Sequence, residues 1–148
     1  MAKEKIITKF DKQITGMAGE FLAMGKLCKM ELQVSLTLRN TKAIDIFAHN
    51  PRKNKRYNVQ VKTSRKEKTN FRYLKGEEIQ KDDIFIFIVL NDKVEDQEDF
   101  FIVKGSESLN NVHDFFGSTY TNENLPEKGT VNYRALEGYK DNWKVFNT

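Results

Sequence analysis

A carboxylate, a carboxamide and an ammonium fall on two short apolar stretches of this sequence. Asp45 interrupts residues 44–48 (IDIFA), and Gln60 and Lys62 lie in residues 59–64 (VQVKTS). Side chains two apart on a strand point to the same face, so Gln60 and Lys62 share one face while Val59 and Val61 turn the other way, toward a core. Residues 51–54 read as the turn between two strands. Asn50 then pairs with Lys55, and counting back sets Asp45 opposite Gln60. Cross-strand neighbours in such a register lie about 5 Å apart. A small patch carrying a carboxylate, an amide oxygen and an ammonium is the expected result. That combination suits phosphodiester hydrolysis, which needs a hard cation to stabilise developing charge and acidify the attacking water. Mg²⁺ takes oxygen ligands and keeps several waters, so one or two protein carboxylates are enough. Asp45 is the best candidate ligand, because an unpaired carboxylate in an apolar strand is costly to bury. Gln60 offers an oxygen without charge, which weakens metal affinity and disfavours a second tightly held ion. An ammonium at Lys62 would stabilise negative charge on the phosphate and lower the pKa of nearby water.

Several elements must position this patch. Ile14, Met17, Ala18, Phe21, Leu22, Gly25 and Cys28 recur at helical spacing and predict an amphipathic helix over residues 12–30. Residues 31–38 (ELQVSLTL) alternate as a strand, followed by strands over 42–49 and 56–64. Residues 65–83 are polar and read as a loop with a helical turn near 76–80. The run DIFIFIVL over 83–90 is apolar after its first residue, as a strand covered on both faces should be. A further strand is expected over 100–104 and a helix over 107–116, then a loop over 117–130, a helix over 133–139 and a segment at 143–146 that docks on the sheet. With no repeat and no low-complexity linker, residues 1–148 read as one domain, a core over about 14–104 with a C-terminal helical elaboration over 105–148. The fold class expected is α/β, a mixed sheet flanked by helices.

Composition narrows the function classes. Hydrophobic residues make up 39% and charged residues 31%, as in globular proteins, and no run approaches the roughly 20 apolar residues of a membrane-spanning helix. The single cysteine, Cys28, rules out an internal disulfide or a Cys-rich zinc site; it reads as a small core residue. A reducing, cytoplasmic location and no membrane partner are the expectation. His49 and His113, the two histidines, fall in no metal-binding motif. No Walker-type glycine loop occurs, and Ser64 has no evident triad. The net charge of +4 conceals a strong asymmetry. Residues 52–72 hold nine Lys or Arg against one acid, whereas residues 77–148 hold seven against fifteen. A basic block around the Gln60–Lys62 strand is an electrostatic footprint for a polyanion. Arg52, Lys53, Lys55 and Arg56 crowd the turn, and Arg65, Lys66 and Lys68 follow the strand. Tyr57, Phe71 and Tyr73 are interleaved with them and could stack on bases or pack in the core.

Asp45, the later QVK of residues 60–62 and the preceding helix together resemble the PD-(D/E)XK nuclease superfamily, whose fold is restriction-endonuclease-like with an α-β-β-β-α-β-type core. Glutamine at the position of Gln60 departs from the usual acid and is similar to a variant found in intron-encoded homing endonucleases. The resemblance implies a metal-dependent endonuclease that hydrolyses DNA with Mg²⁺, for which Mn²⁺ could substitute. It implies that Asp45, Gln60 and the Val61 carbonyl hold the metal and that Lys62 acts at the scissile phosphate. Glu20, in the text GEFLAMGKL, matches the first-helix glutamate that many relatives place beside the metal. The resemblance also implies a homodimer or homotetramer, since cutting two strands requires two sites. Two other readings remain: a catalytically impaired nuclease-fold DNA-binding protein, and a basic module that meets an acidic protein.

Overall fold

The computed structural model describes residues 9–38, 43–65, 70–74, 76, 79–91, 93–127 and 129–147. Helix α1 (Lys9–Lys29) carries Asp11 in its first turn and Lys26 and Lys29 in its last, charges that complement the helix dipole. Glu31, in the left-handed region at φ 64°, turns the chain out of the helix and toward the sheet. Ala23 and Leu27 are fully buried, and Ala18 and Met24 pack beside them. The helix meets the sheet through small residues: a Cβ on Gly19 would lie 1.7 Å from Thr63 Oγ1. This close approach leaves the bulkier members of the sequence stripe outside. Ile14, Met17, Phe21 and Leu22 are exposed, Phe21 at 57%. Cys28, read from the sequence as a core residue, is also exposed.

The main sheet has five strands in the order β1-β2-β3-β5-β6: β1 (Gln33–Leu36), β2 (Ile46–Asn50), β3 (Lys55–Arg65), β5 (Ile84–Leu90) and β6 (Asp99–Lys104). The β3–β5 pair is parallel and the other pairs are antiparallel, so the sheet is mixed. All seven residues of β5 are buried. Its Ile84, Ile86, Ile88 and Leu90 pack with α1, and its Phe85, Phe87 and Val89 pack on the other side. Each buried side chain of this kind contributes about 1.5–3 kcal/mol, so β5 anchors both layers.

The second layer differs from the sequence expectation. Residues 70–74, read as loop, form β4 (Asn70–Leu74), which pairs antiparallel with β7 (Gly129–Asn132) in a separate two-stranded sheet. Phe71 and Val131 supply its buried side chains, and that apolar gain outweighs the polar composition around them. Between β3 and β5 the described residues therefore contain β4, and the Ile79 N–H donates to the Gly76 carbonyl at 3.1 Å. The helix expected over 107–116 is broken at Asn111 into α2 (Gly105–Asn110) and α3 (Val112–Phe116). Helix α4 (Tyr133–Leu136) runs into a 3-10 turn at Glu137–Tyr139. A last 3-10 turn, Trp143–Asn147, buries Val145 and Phe146 on the α1 side as expected. Tyr57 and Asn50 hold it there, Tyr57 Oη donating to the Phe146 carbonyl at 2.9 Å and Asn50 Nδ2 to the same oxygen at 3.0 Å. Tyr57 and Phe71, weighed above as base-stacking residues, are thus core residues; the Tyr73 side chain lies outside the described set. Among the described residues no helix is long and apolar enough to cross a membrane.

Candidate active site

Strand β3 alternates between two environments. Tyr57, Val59 and Val61 face the α1 layer, so Asn58, Gln60 and Lys62 face the other way. On β2, Ile46 and Ala48 belong to the α1 layer, which puts Asp45, Phe47 and His49 on the Gln60 face. The register is the one read from the sequence, running from Asn50↔Lys55 to Ile46↔Val59. Asp45 lies one residue before the regular strand, and its N–H still donates to the Val59 carbonyl at 2.9 Å. Its carboxylate Oδ2 accepts from the Val61 N–H at 2.7 Å. Burial pushes the Asp45 carboxyl above the ordinary carboxylate range, against the pull of that hydrogen bond and of the Lys62 charge. Asp45, Gln60 and Lys62 therefore share one face of the sheet.

The patch sits at a boundary. Beyond β3 the Gln60 face is covered by Phe85, Phe87, Phe101 and the second layer. Over β1 and β2 the same face is open, with Phe47 44% exposed. A shallow depression of about 520 Å³ there is lined by Gln33, Ser35, Phe47, His49, Arg56 and Asn58 among others. Gln60 itself is 0% exposed, at the inner margin of this open face.

No family model and no curated protein matches the chain. Solved structures do. A bacterial homing endonuclease, I-Ssp6803I, superposes with a TM-score of 0.54 over 91% of each chain at 14% identity. Hjc, a Holliday junction resolvase from the archaeal hyperthermophile Archaeoglobus fulgidus, superposes with a TM-score of 0.50 at 10% identity, over 82% of this chain and 86% of its own. The fold is restriction-endonuclease-like.

Within the restriction-endonuclease-like fold the other expected residues take distinct places. Glu20 belongs to α1, which packs on the face opposite Gln60 and Lys62; half-buried, it follows Gly19 at the contact with Thr63. Arg52 pairs with Glu31, and Lys53 Nζ donates to the Asn147 carbonyl. Lys55 Nζ stands 5.5 Å from the centre of the Tyr57 ring. These three cations bind their own chain at the α1 side and the C-terminus. Arg56 is exposed and pairs across the strands with His49, on the open face. Arg65 is exposed at the end of β3, and Lys66 and Lys68 lie outside the described residues. His49 is held between Gln33 and Asn54, with Nδ1 3.2 Å from Gln33 Oε1 and Nε2 3.4 Å from Asn54 Oδ1.

One residue at the patch was missed. Asp83, just before β5, is 4% exposed, and its Oδ2 accepts from Gln60 Nε2 at 3.4 Å. Burial raises its carboxyl above the ordinary range, opposed by hydrogen bonds from Gln60 and Asn58 and reinforced by the Asp82 charge. Its only sequence signal was its place, second of two adjacent acids, at the head of an unbroken apolar strand. Placing it beside Gln60 requires the parallel register Val59↔Ile84, which joins strands separated by a long crossover.

Among the described residues no three His, Cys, Asp or Glu side chains come together as a metal cage. With the Asp83 carboxylate taken up by Gln60 Nε2, the donors left at the patch are the Asp45 carboxylate, the Gln60 amide oxygen and the Val61 backbone. An all-oxygen set with one charge fits a hard cation that completes its shell with water and substrate phosphate.

Proposed function

We propose that this chain is a metal-dependent endonuclease that hydrolyses phosphodiester bonds of DNA. The observation that carries the reading is the convergence of Asp45, Gln60 and Lys62 on one face of a restriction-endonuclease-like sheet, beside an open surface. That two structures of this fold are a homing endonuclease and a junction resolvase supports DNA as the substrate. Asp45, Gln60 and the Val61 carbonyl would hold Mg²⁺ or Mn²⁺; Glu20, on the helix packed against the opposite face, is not part of this set. When bound, the ion supplies charge stabilisation at the phosphate and a more acidic water. The chain's own residues do the rest. The Val61 N–H fixes the rotation of the Asp45 carboxylate, so a ligand oxygen is oriented before substrate arrives. Lys62, half-buried beside it, places an ammonium where negative charge grows on the phosphate, worth more there than in open water. Arg56 holds the backbone on the open face, with Arg65, Lys66 and Lys68 as further candidates for phosphate contact. Assembly as a homodimer or homotetramer is part of the proposal, since two strands need two sites.

The test is cleavage of plasmid, branched and single-stranded DNA with Mg²⁺ or Mn²⁺. Activity is expected, and Asp45→Ala and Lys62→Ala should each abolish it without changing the circular dichroism spectrum. Cleavage that survives both substitutions would place the chemistry elsewhere. The uncharged Gln60 favours a second reading, a nuclease-fold protein that binds DNA without cutting. Salt-sensitive binding with no metal-dependent cleavage by the parent would select it.

A further inference from the structure

A carboxamide has two unlike ends, an acceptor oxygen and a donor NH₂. A glutamate presents an oxygen whichever way it rotates, but a glutamine serves a cation only when its oxygen is turned the right way. At Gln60 the buried Nε2 donates to Asp83 Oδ2 at 3.4 Å. Turning the amide over would set Oε1 against a carboxylate oxygen, lone pair against lone pair. Asp83 approaches from the β5 edge of Gln60, whereas Asp45 lies across on the β2 side and Lys62 two residues farther along β3. With Nε2 held at Asp83, the oxygen turns away from β5.

Asp83 is itself firmly placed. Its N–H donates to the Gln80 carbonyl at 3.1 Å, and its carbonyl accepts from the Gly105 N–H at 2.7 Å. Gly105 sits so close to this turn that a Cβ would lie 1.9 Å from the Gln80 oxygen. We propose that Asp83 is a positioning residue that fixes the Gln60 amide with its oxygen toward Asp45 and Lys62, and that Gln60 and Asp83 work as a pair in place of a single glutamate. This rests on the nuclease reading above. It also sets the expectation for Gln60→Glu. A glutamate there would restore the absent charge but set a second buried carboxylate against Asp83, and like charges at that distance disfavour each other.

The test reads the Mn²⁺ concentration giving half-maximal cleavage and calorimetric Mn²⁺ binding to the full chain, with melting temperature recorded alongside. Removing a residue that orients a metal ligand commonly costs 10–100-fold in metal affinity, so Asp83→Ala should raise the Mn²⁺ requirement by about tenfold or more. Asp83→Asn, whose amide oxygen still accepts from Gln60, should stay within a few-fold of the parent. In the Gln60→Glu background the sign should reverse, with either Asp83 variant lowering the requirement, because no amide needs orienting and a repulsion is relieved. Should Asp83→Ala fail to fold, the Asp83→Asn comparison in the two backgrounds decides alone. An unchanged requirement in Asp83→Ala, or an Asp83→Asn effect of the same sign and size with Gln60 and Glu at this position, overturns the proposal. Mn²⁺ binding that is lost in Asp45→Ala but indifferent to Asp83 overturns this inference alone. No Mn²⁺ binding or metal-dependent cleavage by the parent overturns both.

Discussion

Asp45 combines a structural cost with a chemical use. Its carboxyl is held above the ordinary range by burial, so over the pH interval from the ordinary value up to the raised one the folded chain binds more protons than the unfolded chain. Stability therefore falls as pH rises through that interval, and at neutral pH the ionised group is a net cost. Asp45→Asn should accordingly melt at a higher temperature than the parent near pH 7 without metal, and the difference should shrink as pH drops below the interval. Mn²⁺ should raise the melting temperature of the parent, since a ligand that binds only the folded state stabilises it, and leave Asp45→Asn unmoved. A lower melting temperature for Asp45→Asn across this range would contradict the burial argument. The Asp45–Gln60 neighbourhood was legible in the sequence because a short turn fixes the register of β2 on β3. Asp83 was not, because nothing local ties residue 83 to residue 60.

Among the elements, α1 and β3 meet most tightly at one point. Gly19 has no room for a Cβ beside Thr63, and Thr63 follows Lys62 on the strand. Gly19→Ala should push the helix from the sheet and destabilise the chain by about 1–3 kcal/mol, the usual cost of overpacking. Gly16→Ala and Gly25→Ala, where a Cβ meets nothing within 4 Å, should be neutral or slightly stabilising. Thermal melts of the three variants separate these outcomes, and equal melting temperatures would mean that the close contact carries no strain. Helical periodicity located α1 correctly yet misjudged which side is buried, because its apolar residues spread over more than one face and the smallest ones make the contact. The pairing of β4 with β7 was hidden for a different reason: the partners are more than fifty residues apart, and neither strand has a distinctive alternation.

The whole molecule divides its basic block between two surfaces. Arg52, Lys53 and Lys55 engage Glu31, Asn147 and Tyr57 on the α1 side, whereas Arg56 lies on the open face that leads to Lys62. Sequence charge alone treats them as one cluster, since alternation within the strand is what sorts them. If Arg56 contacts a phosphate, its removal lowers the slope of log affinity against log salt by about 0.9 for duplex DNA. The Arg56→Glu variant should bind all DNA sequences more weakly, with a slope flatter by roughly one unit. Lys53→Ala should instead loosen the C-terminal turn and leave the slope nearly unchanged. A slope that responds to Lys53 and not to Arg56 would put the DNA on the other side of the sheet. The most direct measurement of the central claim is anomalous diffraction from crystals of the Lys62→Ala chain with a DNA duplex and Mn²⁺. A manganese peak is expected at roughly 2.0–2.2 Å, the range of small divalent ions with oxygen ligands, from an Asp45 carboxylate oxygen and the Gln60 amide oxygen, with a phosphate oxygen beside it. A well-ordered duplex with no manganese between Asp45 and Gln60, or with the ion bound elsewhere, would contradict it.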